Sequence, residues 1–234
     1  IACALGIVKA GGIATLLNHH LRDEALAHSL RITGPRIVLV GDESEGVARS
    51  LPDHAAAELG IGWWWVGDGA PPSGWPSLQH ACAHEPDTNL PETARIVLRQ
   101  PCFHIFTSGS TGHPKVAINT HRMLCANQQM MIQTWRWLQQ DKPVLVDWLP
   151  WNHTFGGNHN LNMVLANGGT LYIDDGRPMP GLIDKTVRNL REIKPNFLFN
   201  VPRGLDMLLP TLESDLHFAR EVLAGLRGIF YAGA

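Results

Sequence analysis

Short apolar runs alternate with stretches of helical periodicity along most of the chain, and that alternation leaves few folds open. The first third carries strand-like runs near 13–17, 36–40 and 61–66, separated by helical patterns around 2–9 and 23–32. Further runs near 102–107, 144–149, 170–173, 196–200 and 228–231 continue the rhythm. Strands separated by helices of about ten residues pair in parallel, because each crossover helix returns the chain to the same end of a sheet. The expected class is therefore α/β: parallel sheets flanked by helices, in layered βαβ units. The clearest helix, over 121–138, sets Leu124, Met131, Trp135 and Leu138 on one face, with Asn119 or Thr120 suited to cap its start. Another, over 182–193, carries Ile183, Val187 and Leu190 on one side and meets Pro195, which stops it.

A chain of 234 residues amounts to one large domain or two small ones at about 150 residues each. From Gly67 to Pro91 the pattern lapses into a stretch rich in Pro and Gly, too long for a tight connection and lacking either period. This divides the chain into an N-terminal βαβ subdomain over 1–90, with the linker 67–91, and a second subdomain over 96–234. The chain opens at Ile1 without a methionine and stops at Ala234 just after a strand-like run, so the first subdomain reads as incomplete at its start and the second as truncated at its end.

Nineteen basic and 21 acidic residues give a net charge of −2, without runs of like charge, which excludes the electrostatic footprint of a general nucleic-acid binder. The apolar stretches break within about ten residues, short of the roughly 20 that span a bilayer. No transmembrane segment and no signal peptide are expected, and the reading is cytoplasmic. Cys3, Cys82, Cys102 and Cys125 are irregularly spaced and read as reduced thiols.

The chemistry is concentrated between the strand ending at Phe106 and the helix opening at Thr120. Thr107, Ser108, Gly109, Ser110, Thr111, Gly112, His113, Pro114 and Lys115 put four hydroxyls, two glycines and a lysine into nine residues. Glycines let backbone N–H groups approach an anion, hydroxyls donate further bonds, and the lysine adds a mobile charge. The loop is suited to phosphate. It is not a Walker A loop, because Pro114 separates Gly112 from Lys115 and Val116 follows. A flexible surface loop of small polar residues is the plain alternative.

This loop resembles the phosphate loop of the adenylate-forming acyl- and aryl-CoA synthetases, Thr-Ser-Gly-Ser/Thr-Thr-Gly-x-Pro-Lys. A second block, from Trp148 through Leu149, Pro150, Trp151, Asn152, His153, Thr154 and Phe155 to Gly156 and Gly157, sits where that family has an aromatic or histidine motif lining the acyl pocket. With 167–175 and Asn200-Val201-Pro202, the region 96–234 is most similar to the feruloyl-CoA synthase branch. Upstream, the segment from Leu16 through Arg22 is more similar to the fatty-acid transport and very-long-chain acyl-CoA synthetase branch.

The resemblance implies part of the large N-terminal domain of an adenylate-forming enzyme. It implies that Thr107, Ser108, Gly109, Ser110, Thr111, Gly112 and Lys115 hold the ATP phosphates, with magnesium bridging them at Thr111. It implies that His153 and Phe155 flank the acyl group, that Gly156 and Gly157 leave room for close backbone approach, and that Ala232, Gly233 and Ala234 lie against adenine and acyl group. Lys115 and His153 are then the side chains that act on the reacting groups. The implied partners are ATP, coenzyme A and a small carboxylic acid, either of the hydroxycinnamate type or a fatty acid. The family's later motifs, its hinge and its C-terminal lysine lie beyond Ala234, so the fragment alone is expected to be inactive. Val116 departs from the glycine common after the loop lysine.

Other candidates have simpler accounts. His80, Cys82 and His84 lack a fourth ligand at zinc-like spacing. Trp63, Trp64 and Trp65 read as a buried strand rather than a stacking platform. Asp174 and Asp175 read as a turn beside Gly176 rather than a magnesium site. The Met and Trp stripe at 124–138 reads as core. Two rival functions stay open: a nucleotide- or acyl-binding module without turnover, and a kinase-like phosphoryl transferase, which would release ADP rather than pyrophosphate.

Overall fold

The structure is a computed structural model that describes residues 1–107 and 114–233. The chain forms two compact units, Ile1–His121 and Arg122–Ala234.

The first unit runs α1 (Ala2–Lys9), β1 (Ala14–Thr15), α2 (Asp23–Thr33), β2 (Ile37–Gly41), α3 (Glu45–Arg49), α4 (Asp53–Leu59), β3 (Gly62–Val66), α5 (Leu78–Cys82), β4 (Pro101–Thr107) and β5 (Lys115–Thr120). Helix α2 has Asp23 and Glu24 in its first turn, favourable beside the helix's positive end, and Gly34 closes it in the left-handed conformation at φ 53°. Its inward stripe, Leu26, Ala27 and Leu30, packs on Val47, Leu51 and Ala55. Strands β2 and β3 pair in parallel from Ile37 opposite Gly62 to Gly41 opposite Val66.

The tryptophan run does lie in a strand: Trp65 is buried with Val40 and Ala48, and Trp63 stacks on Trp75 at 5.3 Å. The Pro- and Gly-rich stretch after it folds back on β3. The Trp65 N–H donates to Pro76 O at 2.9 Å and its indole N–H to Gly69 O at 3.0 Å. Packing the half-buried indole of Trp75 on Trp63 gives a segment without periodicity a reason to be ordered.

The other sheet of this unit has the order β1-β4-β5. Strand β1 joins β4 in parallel, but β5 joins it antiparallel, from Thr107 opposite Lys115 to Pro101 opposite Thr120. The expected passage from β4 through the loop into a helix is therefore corrected. Residues 115–120 form a strand first, which gives their backbone groups ladder partners that a bare loop would leave to water.

The second unit contains α6 (His121–Thr134, beginning at the boundary), β6 (Val144–Asp147), a π-helical turn (Phe155–Leu161), α7 (Asn162–Asn167), β7 (Thr170–Ile173), α8 (Ile183–Ile193), β8 (Phe197–Asn200), α9 (Pro202–Ser214), α10 (Leu216–Gly225) and β9 (Gly228–Tyr231). The pairs β6–β7 and β8–β9 are parallel. Asn196 links β6 to β8: its side chain accepts from Val144 N at 2.7 Å and its N–H donates to Val144 O at 3.2 Å.

Strands β6 and β8 are covered on both faces, which explains their plain apolar runs, whereas most of β7 and β9 is exposed. Leu145, Phe197 and Phe199 enter one core with Met131, Leu138, Phe155 and Met163. Val146 and Leu198 enter the opposite core with Leu190, Leu208, Phe218 and Val222. The expected helix over 121–138 is α6 followed by a 3-10 turn at Arg136–Gln139, with Met131 and Leu138 buried. No helix among the described residues is long and apolar enough to cross a membrane.

Candidate functional site

In the first unit the hairpin β4–β5 sets Thr107 directly opposite Lys115. Opposed residues of an antiparallel pair project from the same face, their Cβ atoms about 5 Å apart. A hydroxyl and an ammonium, both on exposed residues, therefore flank the mouth of the connection. Pro114 O, one residue before Lys115, meets His28 Nε2 at 3.3 Å, which ties this mouth to α2. Beneath it, Thr15 Oγ1 and His104 Nδ1 approach to 3.1 Å across β1 and β4, and burial pushes His104 below the usual histidine range. Ser108, Gly109, Ser110, Thr111 and Gly112 lie outside the described residues, as does Ala234.

In the second unit the block after β6 is a tight turn leading into the π-helical segment. Asp147 Oδ1 accepts the Leu149 N–H at 3.0 Å, and the His153 N–H donates to Pro150 O at 3.1 Å. His159 N donates to Thr154 O at 3.0 Å, the five-residue spacing that defines a π-turn. Gly156 and Gly157 serve this packing. A Cβ on Gly156 would stand 2.6 Å from the carbonyl oxygens of Leu149 and Pro150, and one on Gly157 would strike Trp151 O. The backbone that this glycine pair admits is the chain's own loop. His153 is exposed, and its Nδ1 accepts the Phe155 N–H at 3.3 Å. Phe155 is buried, edge-on to Phe199 and Phe230.

One histidine in this block escapes sequence reasoning. His159 lies among Trp135 (5.6 Å), Phe155 (5.6 Å), Phe199 (5.1 Å) and Phe230 (5.4 Å, stacked at 18°). Its Nδ1 meets Asn160 Oδ1 at 2.8 Å, and Asn160 Nδ2 donates to Asp147 Oδ2 at 2.8 Å. Asn160 is fully buried and Asp147 nearly so. Burial is the main force on both titratable groups. It lifts Asp147 to about 6 against its two hydrogen bonds, and it lowers His159 against its bond to Asn160. The sequence signal available was the second histidine of His153-Thr-Phe-Gly-Gly-Asn-His159, six residues after the first.

Gln128 on α6 borders the same turn. Its Nε2 donates to Asn158 O at 3.4 Å, while its buried Oε1 has no hydrogen-bond partner among the described residues.

At the end of β9, the Ala232 N–H donates to Asn200 O at 3.3 Å and its side chain packs on the core that holds Phe155. Gly233 takes φ +84°, a left-handed conformation that favours glycine.

Asp174 and Asp175 are structural. Asp174 accepts from Gly176 N (2.9 Å), Thr186 Oγ1 (2.6 Å) and Asn189 Nδ2 (2.8 Å), anchoring the first turns of α8, and Asp175 pairs with Lys185 at 2.9 Å. His80, Cys82 and His84 are exposed, and no group of three metal-ligating side chains occurs among the described residues.

The chain is 31% identical over 115 residues to long-chain fatty acid transport protein 6 of Homo sapiens, covering 48% of this chain and 18% of that protein. It is 34% identical over 122 residues to a medium/long-chain-fatty-acid–CoA ligase of Mycobacterium tuberculosis, covering 52% and 19%. The chain thus spans about a fifth of the length of these curated relatives. Its fold matches the crystal structure of the anthranilate CoA ligase AuaEII in complex with anthranoyl-AMP, with a TM-score of 0.77 and 21% identity over 99% of this chain and 42% of that one. The family model described as AMP-binding enzyme matches residues 1–234, and the chain belongs to that family.

Proposed function

We propose that this chain is the nucleotide-holding and acyl-holding part of an ATP-dependent carboxylate:CoA ligase acting on an aromatic, hydroxycinnamate-type acid in the cytoplasm. The observation that carries the reading is the hairpin mouth: Thr107 faces Lys115 across β4–β5 at the ends of the Ser-Gly-Ser-Thr-Gly-His connection. A carboxylate oxygen attacks the α-phosphorus of ATP, the bond to the β-phosphate oxygen breaks, and pyrophosphate leaves. The thiol of coenzyme A then loses its proton and attacks the acyl carbonyl, and AMP departs.

The nucleophile of the first step arrives already ionised, so no general base is needed there. Catalysis rests on holding the phosphates and offsetting their charge. Thr107, Ser108, Gly109, Ser110, Thr111, Gly112 and Lys115 do this, with Thr111 as the hydroxyl that would be offered to magnesium, whose charge would offset that of the phosphates. We assign His153 and Phe155 to the acyl group, with Gly156, Ala232, Gly233 and Ala234.

A fatty-acyl substrate is the second reading, favoured by the similarity to a fatty-acid transport protein and a fatty-acid–CoA ligase. The test supplies the whole protein that carries this sequence with ATP, coenzyme A and a panel of aromatic and long-chain acids, following pyrophosphate and thioester separately. Pyrophosphate with hydroxycinnamates supports the proposal. Turnover of long-chain acids alone replaces it with the second reading, and ADP in place of pyrophosphate overturns both.

A further inference from the structure

The polar network behind the π-turn fixes the chemistry of His159. At neutral pH Asp147 is an ionised carboxylate, which only accepts hydrogen bonds, so the amide nitrogen of Asn160 must face it. The amide oxygen of Asn160 therefore faces His159, and Nδ1 must carry the proton in that 2.8 Å contact. Burial holds the ring neutral, which leaves a bare lone pair on Nε2. No described residue bonds that nitrogen.

Four aromatic rings lie against the imidazole. Trp135, Phe155, Phe199 and Phe230 offer faces and edges, and Phe230 is still 36% exposed, two residues before Ala232. An alkyl chain set against this wall has nothing to give the lone pair, whereas a flat ring with a hydroxyl satisfies both the rings and the acceptor. A site that displaces water from an acceptor without supplying a donor pays the full desolvation cost, which is the strongest available basis for discrimination.

We propose that His159 Nε2 accepts the hydrogen bond of a ring hydroxyl on the acyl substrate, with Asn160 and Asp147 as positioning residues that lock its tautomer. This rests on the ligase reading above and adds the group that selects the acid.

The test compares cinnamate, 4-hydroxycinnamate and 4-methoxycinnamate in the whole protein, by kcat/KM for thioester formation, in wild type and in His159→Phe and His159→Gln. Wild type prefers the 4-hydroxy acid over the unsubstituted one by about 10²-fold, the upper part of the range for leaving one buried acceptor unsatisfied. His159→Phe keeps a flat ring and brings the ratio to within about threefold. His159→Gln keeps an acceptor oxygen and restores part of the preference.

Nitrogen-15 spectra of the imidazole supply an independent readout: Nδ1 protonated and Nε2 bare. The opposite tautomer, or a ratio near one in wild type that no variant changes, overturns the assignment of His159 while leaving the ligase reading intact. Failure of every acid to give pyrophosphate overturns the ligase reading and takes the assignment with it.

Discussion

Asp147 carries a stability dependence on pH that can be isolated. Its carboxyl sits at the end of β6, 5% exposed, with hydrogen bonds from Asn160 and the Leu149 N–H and no ion pair among the described residues. Loss of solvent, helped by the like charge of Asp174, lifts it from 3.8 to about 6. Between those values the folded state binds more protons than the unfolded state, so the slope of unfolding free energy against pH is negative. The contribution is present in full below about pH 4 and is lost as the pH rises through about 6. A rise of about two units at about 1.4 kcal/mol each gives roughly 3 kcal/mol.

Other carboxylates oppose this trend. Asp175, Asp215 and Glu221 are held below their ordinary range, first by Lys185, by the Phe218 N–H and by Lys194 respectively. The quantity to measure is therefore the difference between wild type and Asp147→Asn, which stays neutral throughout. Urea unfolding from about pH 4 to about pH 7 should show wild type losing about 3 kcal/mol relative to the variant. A difference that stays flat to within about 0.5 kcal/mol would refute the account of a desolvated, uncompensated carboxylate.

Gly156→Ala forces a Cβ to 2.6 Å from two backbone oxygens, so we expect a loss of at least about 2 kcal/mol in chemical denaturation. A loss under about 0.5 kcal/mol would mean the turn can shift. Lys115→Ala should weaken ATP binding far more than AMP binding by calorimetry if, as proposed, its charge serves the outer phosphates; equal losses for both nucleotides contradict that role. His153→Ala should leave ATP affinity nearly unchanged and lower the rate of adenylate or thioester formation, by about 10²-fold if it bonds the reacting carboxylate. A variant equal to wild type in all three assays leaves His153 as the local acceptor for the Phe155 N–H.

Where a short apolar run is bounded by Gly, Asp or Ala, the sequence announces a strand whether or not it is buried. The apolar runs at Thr170–Ile173 and Gly228–Tyr231 match the observed strands to the residue, although most of their residues are exposed. Strand β5, by contrast, was hidden. Lys115–Thr120 buries Asn119 and leaves Ile118 56% exposed, the reverse of what alternation suggests, so only its pairing with β4 reveals it. His153 stood out through its neighbours, yet the histidine held by a buried network is His159. Its partners Asn160 and Asp147 are 13 residues apart, a separation that no local period encodes. The order Asp147, Asn160, His159 depends on how a π-turn winds, and sequence patterns tuned to 3.6 and 2 residues do not register a winding of that kind.

The π-turn can also be regarded as a phase adjuster. Upstream, the loop carbonyls of Leu149, Pro150 and Trp151 dictate where the two glycines lie. Downstream, Met163 and Val164 of α7 are fixed by the core. An ordinary helix joining these two anchors would arrive about 100° out of step for each residue too many. The single wide turn absorbs that excess, so the fold accommodates one extra residue without moving either anchor. Shortening the segment by one residue would restore a regular ladder and swing His159 off Phe230. The chemical identity presented by this wall is therefore set by chain length as well as by side chain, and a one-residue deletion changes it as surely as a substitution.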